Sequence, residues 1–85
     1  MAYEIVWNSK AEDDLSDLDN EAQKRIILKL DSIVENPHRF LDYLQKYCVY
    51  KLRVGEWRIF IDIHDNCREL EVLRIRHRSK AYQRL

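Results

Sequence analysis

The stretch VYKLRVGEWRIFIDI, residues 49–63, decides the fold. Polar and apolar side chains alternate on both sides of Gly55, the only glycine in the chain. Tyr50, Leu52 and Val54 share one face of the first run, with Val49, Lys51 and Arg53 opposite. After the glycine, Trp57, Ile59, Ile61 and Ile63 share a face, with Arg58, Phe60 and Asp62 opposite. A period of two around a residue that accepts positive φ predicts a half-buried antiparallel hairpin. Asp65-Asn66 supplies a turn, and Glu69–Arg76 then predicts a third strand. Strict alternation puts Leu73 and Ile75 on one face of that strand and Leu70, Val72, Arg74 and Arg76 on the other. Apolar residues on both faces predict a central strand, with Val72 and Phe60 covered by a short C-terminal turn through Ala81, Tyr82 and Leu85.

Upstream, Ala2–Trp7 alternates and predicts an edge strand. Ser9-Lys-Ala-Glu12 has the capping-box pattern and opens a short helix with Ala11, Leu15 and Leu18 on one stripe. Asp19-Asn20 caps a second helix whose apolar face is Ala22, Ile26, Leu30, Ile33 and Val34, widened by Ile27. Asn36-Pro37 ends it, because the residue before proline is disfavoured in helical conformation. Between His38 and Lys46 the pattern allows either a helical turn or a loop pinned by Phe40, Leu41, Tyr43 and Leu44. The chain therefore reads as one α+β domain over residues 1–85. Its order is βααβββ with a short C-terminal helix, a helical hairpin packed on a mainly antiparallel four-stranded sheet.

At 85 residues there is room for one small core, and a hydrophobic share of 46% is enough to form it. No apolar run reaches the 18 or so residues of a membrane span. The N-terminal residues lack a signal-peptide pattern, so a cytoplasmic location is expected, with Cys48 and Cys67 as reduced thiols in or beside strands. The formal net charge of zero hides an asymmetry. Residues 1–45 carry five Lys/Arg against ten Asp/Glu, and residues 46–85 carry ten against five. An acidic helical layer thus backs a basic sheet, which favours an anionic ligand on one face.

No paired Cys or His spacing of the zinc-site kind accompanies His64, Cys67, Cys48 and His77, so no metal or other cofactor is expected. The basic residues are more informative. Lys51, Arg58 and Arg76 can all face away from the helices, with Arg53, Arg74 and Arg78 as further phosphate ligands. His77 and Tyr82 supply proton-transfer groups beside them. Metal-independent RNA cleavage needs those parts: a base for the 2′-hydroxyl, an acid for the departing 5′-oxygen and cations for the phosphorane charge. The residues leave open whether Tyr82 or His77 is the base. Arginine forks suit phosphate oxygens, and neighbouring cations favour tyrosinate.

Two segments, YKLRVGEWRI (residues 50–59) and RHRSKAY (residues 76–82), together resemble the RelE/ParE toxin superfamily, on its RelE side. The element order and the Asn36-Pro37 helix end fit the same family. The resemblance implies the toxin of a type II toxin–antitoxin system, a ribosome-dependent mRNA endoribonuclease cutting A-site codons by 2′-hydroxyl attack. It implies catalytic roles for Lys51, Arg58, Arg76, Tyr82 and His77, and a base-stacking role for Trp57, where tyrosine is commoner. Val49 stands where RelE carries a further basic residue. The implied partners are a RelB-like antitoxin, in a heteromeric complex, and the ribosome with its mRNA. A ParE-like inhibitor of DNA gyrase and an inactive antitoxin-binding homologue are the competing readings of the same fold.

Overall fold

The computed structural model describes residues 2–82. Strand β1 (Glu4–Trp7) leads into helices α1 (Ser9–Ser16) and α2 (Asn20–Ile33), then a single turn, α3 (Pro37–Phe40). Strands β2 (Asp42–Leu44), β3 (Val49–Val54), β4 (Trp57–His64) and β5 (Glu69–His77) follow, and Arg78–Lys80 closes the described chain as a 3-10 turn. The sheet has five strands in the order β1-β5-β4-β3-β2, with β1 parallel to β5 and the other pairs antiparallel. The fifth strand is β2. The expected turn and loop between His38 and Lys46 are α3 and this short strand, whose Tyr43 pairs with Tyr50.

The α1–α2 hairpin covers one face of the sheet. Ile26, Leu30 and Ile33 of α2 are fully buried against Leu52, Ile59, Ile61, Leu70, Val72 and Ile75, so the predicted apolar stripe is the one that packs. Ile27 remains 41% exposed at the stripe's edge. The caps differ in detail from the sequence reading. Asn8, and not Ser9, caps α1 by accepting from the backbone N–H of Lys10 at 2.9 Å. Asp19 caps α2 through the N–H of Ala22 at 2.8 Å. Either contact satisfies a backbone donor that the first helical turn leaves free.

Strict alternation fails once, in β5. Ile61 pairs with Val72 while the preceding Phe60 pairs with Arg74, which leaves Leu73 as an extra residue in a β-bulge. The bulge turns Leu70 and Val72 onto the helix face alongside Ile75, while Arg74 and Arg76 stay on the opposite face. Val72 is fully buried in the helix-side core and needs no cover from the C-terminal turn. Leu85, expected in that cover, lies outside the described residues.

Three tight connections require positive φ. Gly55 (φ 59°) is the first residue of the two-residue β3–β4 loop, where a type II′ hairpin wants glycine. Cys48 (φ 55°) and Arg68 (φ 58°) end the four-residue turns before β3 and β5, so the left-handed position falls on Arg68 rather than on Asp65-Asn66. Both cysteines are free and exposed in these turns, outside the strands.

Leu30→Ala removes a side chain with no solvent exposure from the centre of the helix–sheet interface. It should cost about 2–5 kcal/mol in urea unfolding, whereas Leu28→Ala, on the outer face of α2, should change stability by less than about 0.5 kcal/mol. Equal losses at the two positions would contradict the packing described.

Candidate functional site

The antiparallel register sets the composition of the open face of the sheet. Arg53 lies opposite Arg58, and Arg58 opposite Arg76, so one row of arginines crosses β3, β4 and β5. The adjacent row is Lys51, Phe60 and Arg74. Like charges directly opposed across strands destabilise a sheet. Among the described residues, none of the three arginines in the first row has a carboxylate partner. Arg58 folds back on the hairpin turn, its Nη1 donating to the carbonyl oxygens of Gly55 (2.8 Å) and Trp57 (3.0 Å). The Nε of Arg76 is buried and has no hydrogen-bond partner among the described residues. An uncompensated donor of this kind costs about 1–3 kcal/mol.

Lys51 is the one buried charged side chain among the described residues, at 7% exposure. Its ammonium donates to the phenolic oxygen of Tyr82 at 3.0 Å and sits 5.7 Å from the centre of that ring. Tyr82 reaches this position because the 3-10 turn folds the chain back over the sheet and Ala81 is buried beneath it. The phenol ring stacks on Tyr47 (centroids 5.9 Å, planes 18° apart) and meets Phe60 edge-on at 6.2 Å. Lys51, Arg58, Arg76 and Tyr82 therefore share one face.

The other proposed residues are placed differently. His77 pairs with Trp57 and so occupies the helix-side parity of β5, opposite to Arg76. Its Nδ1 faces the Ser79 hydroxyl at 2.9 Å and accepts from the Ser79 N–H, and its Nε2 lies 3.6 Å from Glu56. Trp57 packs partly into the helix-side core and meets the His77 ring edge-on. Arg74 makes a two-pronged ion pair with Asp14 of α1 (2.8 and 3.2 Å), and this contact raises its pKa further. The same carboxylate accepts from the backbone N–H of Ile75 at 3.0 Å, where β1 no longer reaches to pair β5. Arg53 and Arg78 are exposed. Sequence reasoning missed Tyr47, which lies just before the alternating run that starts at Val49, and Asp14, whose place beside β5 is set by the packing of α1.

At the opposite end of the open face the sign reverses. Asp62 lies opposite Glu71, and His64 Nε2 sits 3.1 Å from Glu71 and 3.8 Å from Asp62. One ligand atom from each lies within 4.8 Å of the others, so this trio is the group among the described residues that could hold a metal ion. The hydrogen bond to Glu71, the largest influence, holds the imidazole above the ordinary histidine range. Desolvation opposes that shift, and the charges of Asp62, Glu71 and Glu69 reinforce it.

Residues 5–82 match the family described as the ParE toxin of the type II toxin–antitoxin system parDE. Among solved structures, the fold is similar to a chain of the RelBE2 toxin–antitoxin complex from Mycobacterium tuberculosis. That match has 21% identity and a TM-score of 0.83, covering 92% of this chain and 100% of the other. A chain of the archaeal RelE–RelB complex from Pyrococcus horikoshii matches at 17% identity and a TM-score of 0.78, with 94% and 99% covered. The isolated RelE toxin of E. coli matches at 16% identity and a TM-score of 0.75, with 89% and 84% covered. No curated protein matches the chain.

The His64 contact predicts a pH dependence whose sign follows from linkage. A pKa raised on folding contributes stability that is complete below the unfolded imidazole value, about 6.5, and is lost as pH rises through the folded value. Glu71→Gln should lower the His64 midpoint in an NMR titration. The stability gap between wild type and variant should be larger at pH 5.5 than at pH 8.5, and a gap that widens with pH would refute the assignment.

Proposed function

The chain belongs to the ParE toxin family of type II toxin–antitoxin systems, within the RelE/ParE superfamily, and from that premise we propose that it acts as a RelE-type endoribonuclease. Its substrate on this reading is mRNA in the ribosomal A site, cleaved without a metal. The observation that carries the reading is the row Arg53–Arg58–Arg76 beside the Lys51–Tyr82 pair. A phenol beside a row of cations supplies a base together with charge stabilisation, which an inhibitor that acts by binding alone does not require.

Tyr82 takes the proton of the 2′-hydroxyl, and the freed oxygen attacks the adjacent phosphorus. The P–O5′ bond breaks and the departing 5′-oxygen takes a proton from solvent, leaving a 2′,3′-cyclic phosphate and a 5′-hydroxyl. Lys51 stands where charge appears when the phenol gives up its proton to solvent and works as a base. Arg58 and Arg76 stabilise the negative charge that grows on the phosphate oxygens, and such preorganised donors are worth a large part of a rate enhancement. His77, on the far parity of β5, is left with a positioning role in the C-terminal turn through its contacts with Ser79. Arg74, held by Asp14, supports the fold of the site and not the phosphate.

The setting we propose is the cytoplasm, with the activity checked by a RelB-like antitoxin bound in a heteromeric complex. A segment carrying Asp or Glu opposite the arginines, and an apolar side chain beside the Tyr82 ring, would fit the open face. The family description, which names ParE, favours a second reading in which the target is DNA gyrase. That reading needs binding alone and makes Tyr82 dispensable.

Primer extension on a translated mRNA after induction separates the two, with cleavage expected within codons and no inhibition of gyrase supercoiling. In single-turnover assays on programmed ribosomes, Arg76→Ala and Tyr82→Phe should each lower the rate by about 100-fold or more. His77→Gln and the exposed Arg39→Ala should stay within a few-fold of wild type. Full cleavage by Tyr82→Phe, or gyrase inhibition without cleavage, would refute the assignment.

A further inference from the structure

Strand β2 ends its pairing at Asp42–Lys51, so β3 has an open edge over Leu52–Val54. A groove of about 520 Å³ runs between that edge and α2, lined by Arg25, Leu28, Lys29, Ser32, Arg53, Val54 and Gly55. Three of these are cations and none is acidic. Arg25, Lys29 and Arg53 are exposed, and among the described residues none of them is in an ion pair. Arg25 and Lys29 stand four residues apart on α2, a like-charge spacing that costs helix stability unless an anion lies between them.

Gly55 joins this groove to the arginine row. From the open face, Arg58 donates to its carbonyl oxygen at 2.8 Å. From the helix side, the guanidinium of Arg25 lies over its α-carbon, where an added Cβ would come within 3.1 Å of Arg25 Nη2. The single glycine thus serves the positive φ of the turn and also leaves room for Arg25. We propose that this groove is a second phosphate site, which takes the phosphodiester backbone of structured RNA where it continues past the arginine row and around the edge of β3. The proposal rests on the reading of the open face as an RNA site, because Arg53 belongs to both surfaces. RNA fits better than an acidic amphipathic peptide. Such a peptide needs an apolar stripe to bury, and here Leu28 is the one exposed apolar side chain among three cations.

The test is fluorescence anisotropy of the full chain with a labelled RNA hairpin, titrated over a range of salt. Arg25→Gln/Lys29→Gln removes two exposed charges without touching the core. It should weaken binding about tenfold and lower the slope of log K against log salt by about 1.4–1.8, the loss of two phosphate contacts. Arg39→Gln should leave the slope at the wild-type value. An unchanged slope in the double variant, or no measurable binding of the hairpin by the wild type, overturns the proposal. So does a double variant that loses binding to poly-glutamate and keeps binding to the hairpin. If the wild type cleaves no mRNA while the double variant still loses RNA affinity and slope, the nuclease reading falls and the groove stands. If Arg76→Ala abolishes cleavage and the double variant binds like wild type, the groove falls and the nuclease reading stands.

Discussion

The register of β3, β4 and β5 is the constraint on which the rest depends. It stacks Ile59 on Leu52 and Ile75 towards the helices, and the same hydrogen bonds place Arg58 between Arg53 and Arg76 on the other side. The two consequences cannot be separated, since a slip of one residue would exchange the faces of a whole strand. Burial on the helix side therefore fixes a cationic row that surface electrostatics alone would disperse. Water and mobile ions screen the repulsion while the face is open. A phosphate placed there would relieve it directly, so part of any affinity for an anion would be stored in the fold.

Much of this was legible because the hairpin alternates without a break from Val49 to Ile63. A period of two assigns faces wherever a strand has no irregularity. It assigned Lys51, Arg58 and Phe60 to the face they occupy, and the α2 stripe was equally plain. The bulge at Leu73 was not legible, since one extra residue leaves the composition of β5 unchanged and reverses the faces of Leu70 and Val72. The strand at Asp42–Leu44 was hidden because three residues are too few to show a period, and they are held by pairing with β3. Arg74 looked like its neighbours in sequence. What sets it apart is Asp14, sixty positions away and brought beside β5 by the packing of α1. His77 and Tyr82 appeared as one cluster in the linear motif, but the alternation of β5 separates His77 from the Lys51 side.

The open face carries a charge gradient along β4. Arg58 sits beside the Gly55 turn, the apolar Phe60 lies in the middle, and Asp62 with His64 and Glu71 lies at the far end. Such a surface does more than attract anions, because it also orients them. A polyanion is drawn to the arginine end and repelled from the end where Asp62 opposes Glu71. Protonation of His64 softens that repulsion without altering the arginines. The acidic and the basic groups thus occupy opposite ends of the same two strands.

Lys51 and Tyr82 depend on each other, and the dependence is unequal. Tyr82 is 46% exposed and is held by ring contacts with Tyr47 and Phe60 and one hydrogen bond. Lys51 is buried in a strand of the sheet, and a buried ammonium without an acceptor is costly. A hydrogen bond to a charged group contributes about 1.5–3 kcal/mol, so the phenol is held over Lys51 largely by the lysine's need for an acceptor. The element that carries Tyr82 is a single 3-10 turn, which cannot position the ring by its own rigidity. The place of the phenolic oxygen is therefore set from the sheet, through Lys51. Any group able to offer Lys51 another acceptor, a phosphate oxygen or a carboxylate, competes with Tyr82 for that place.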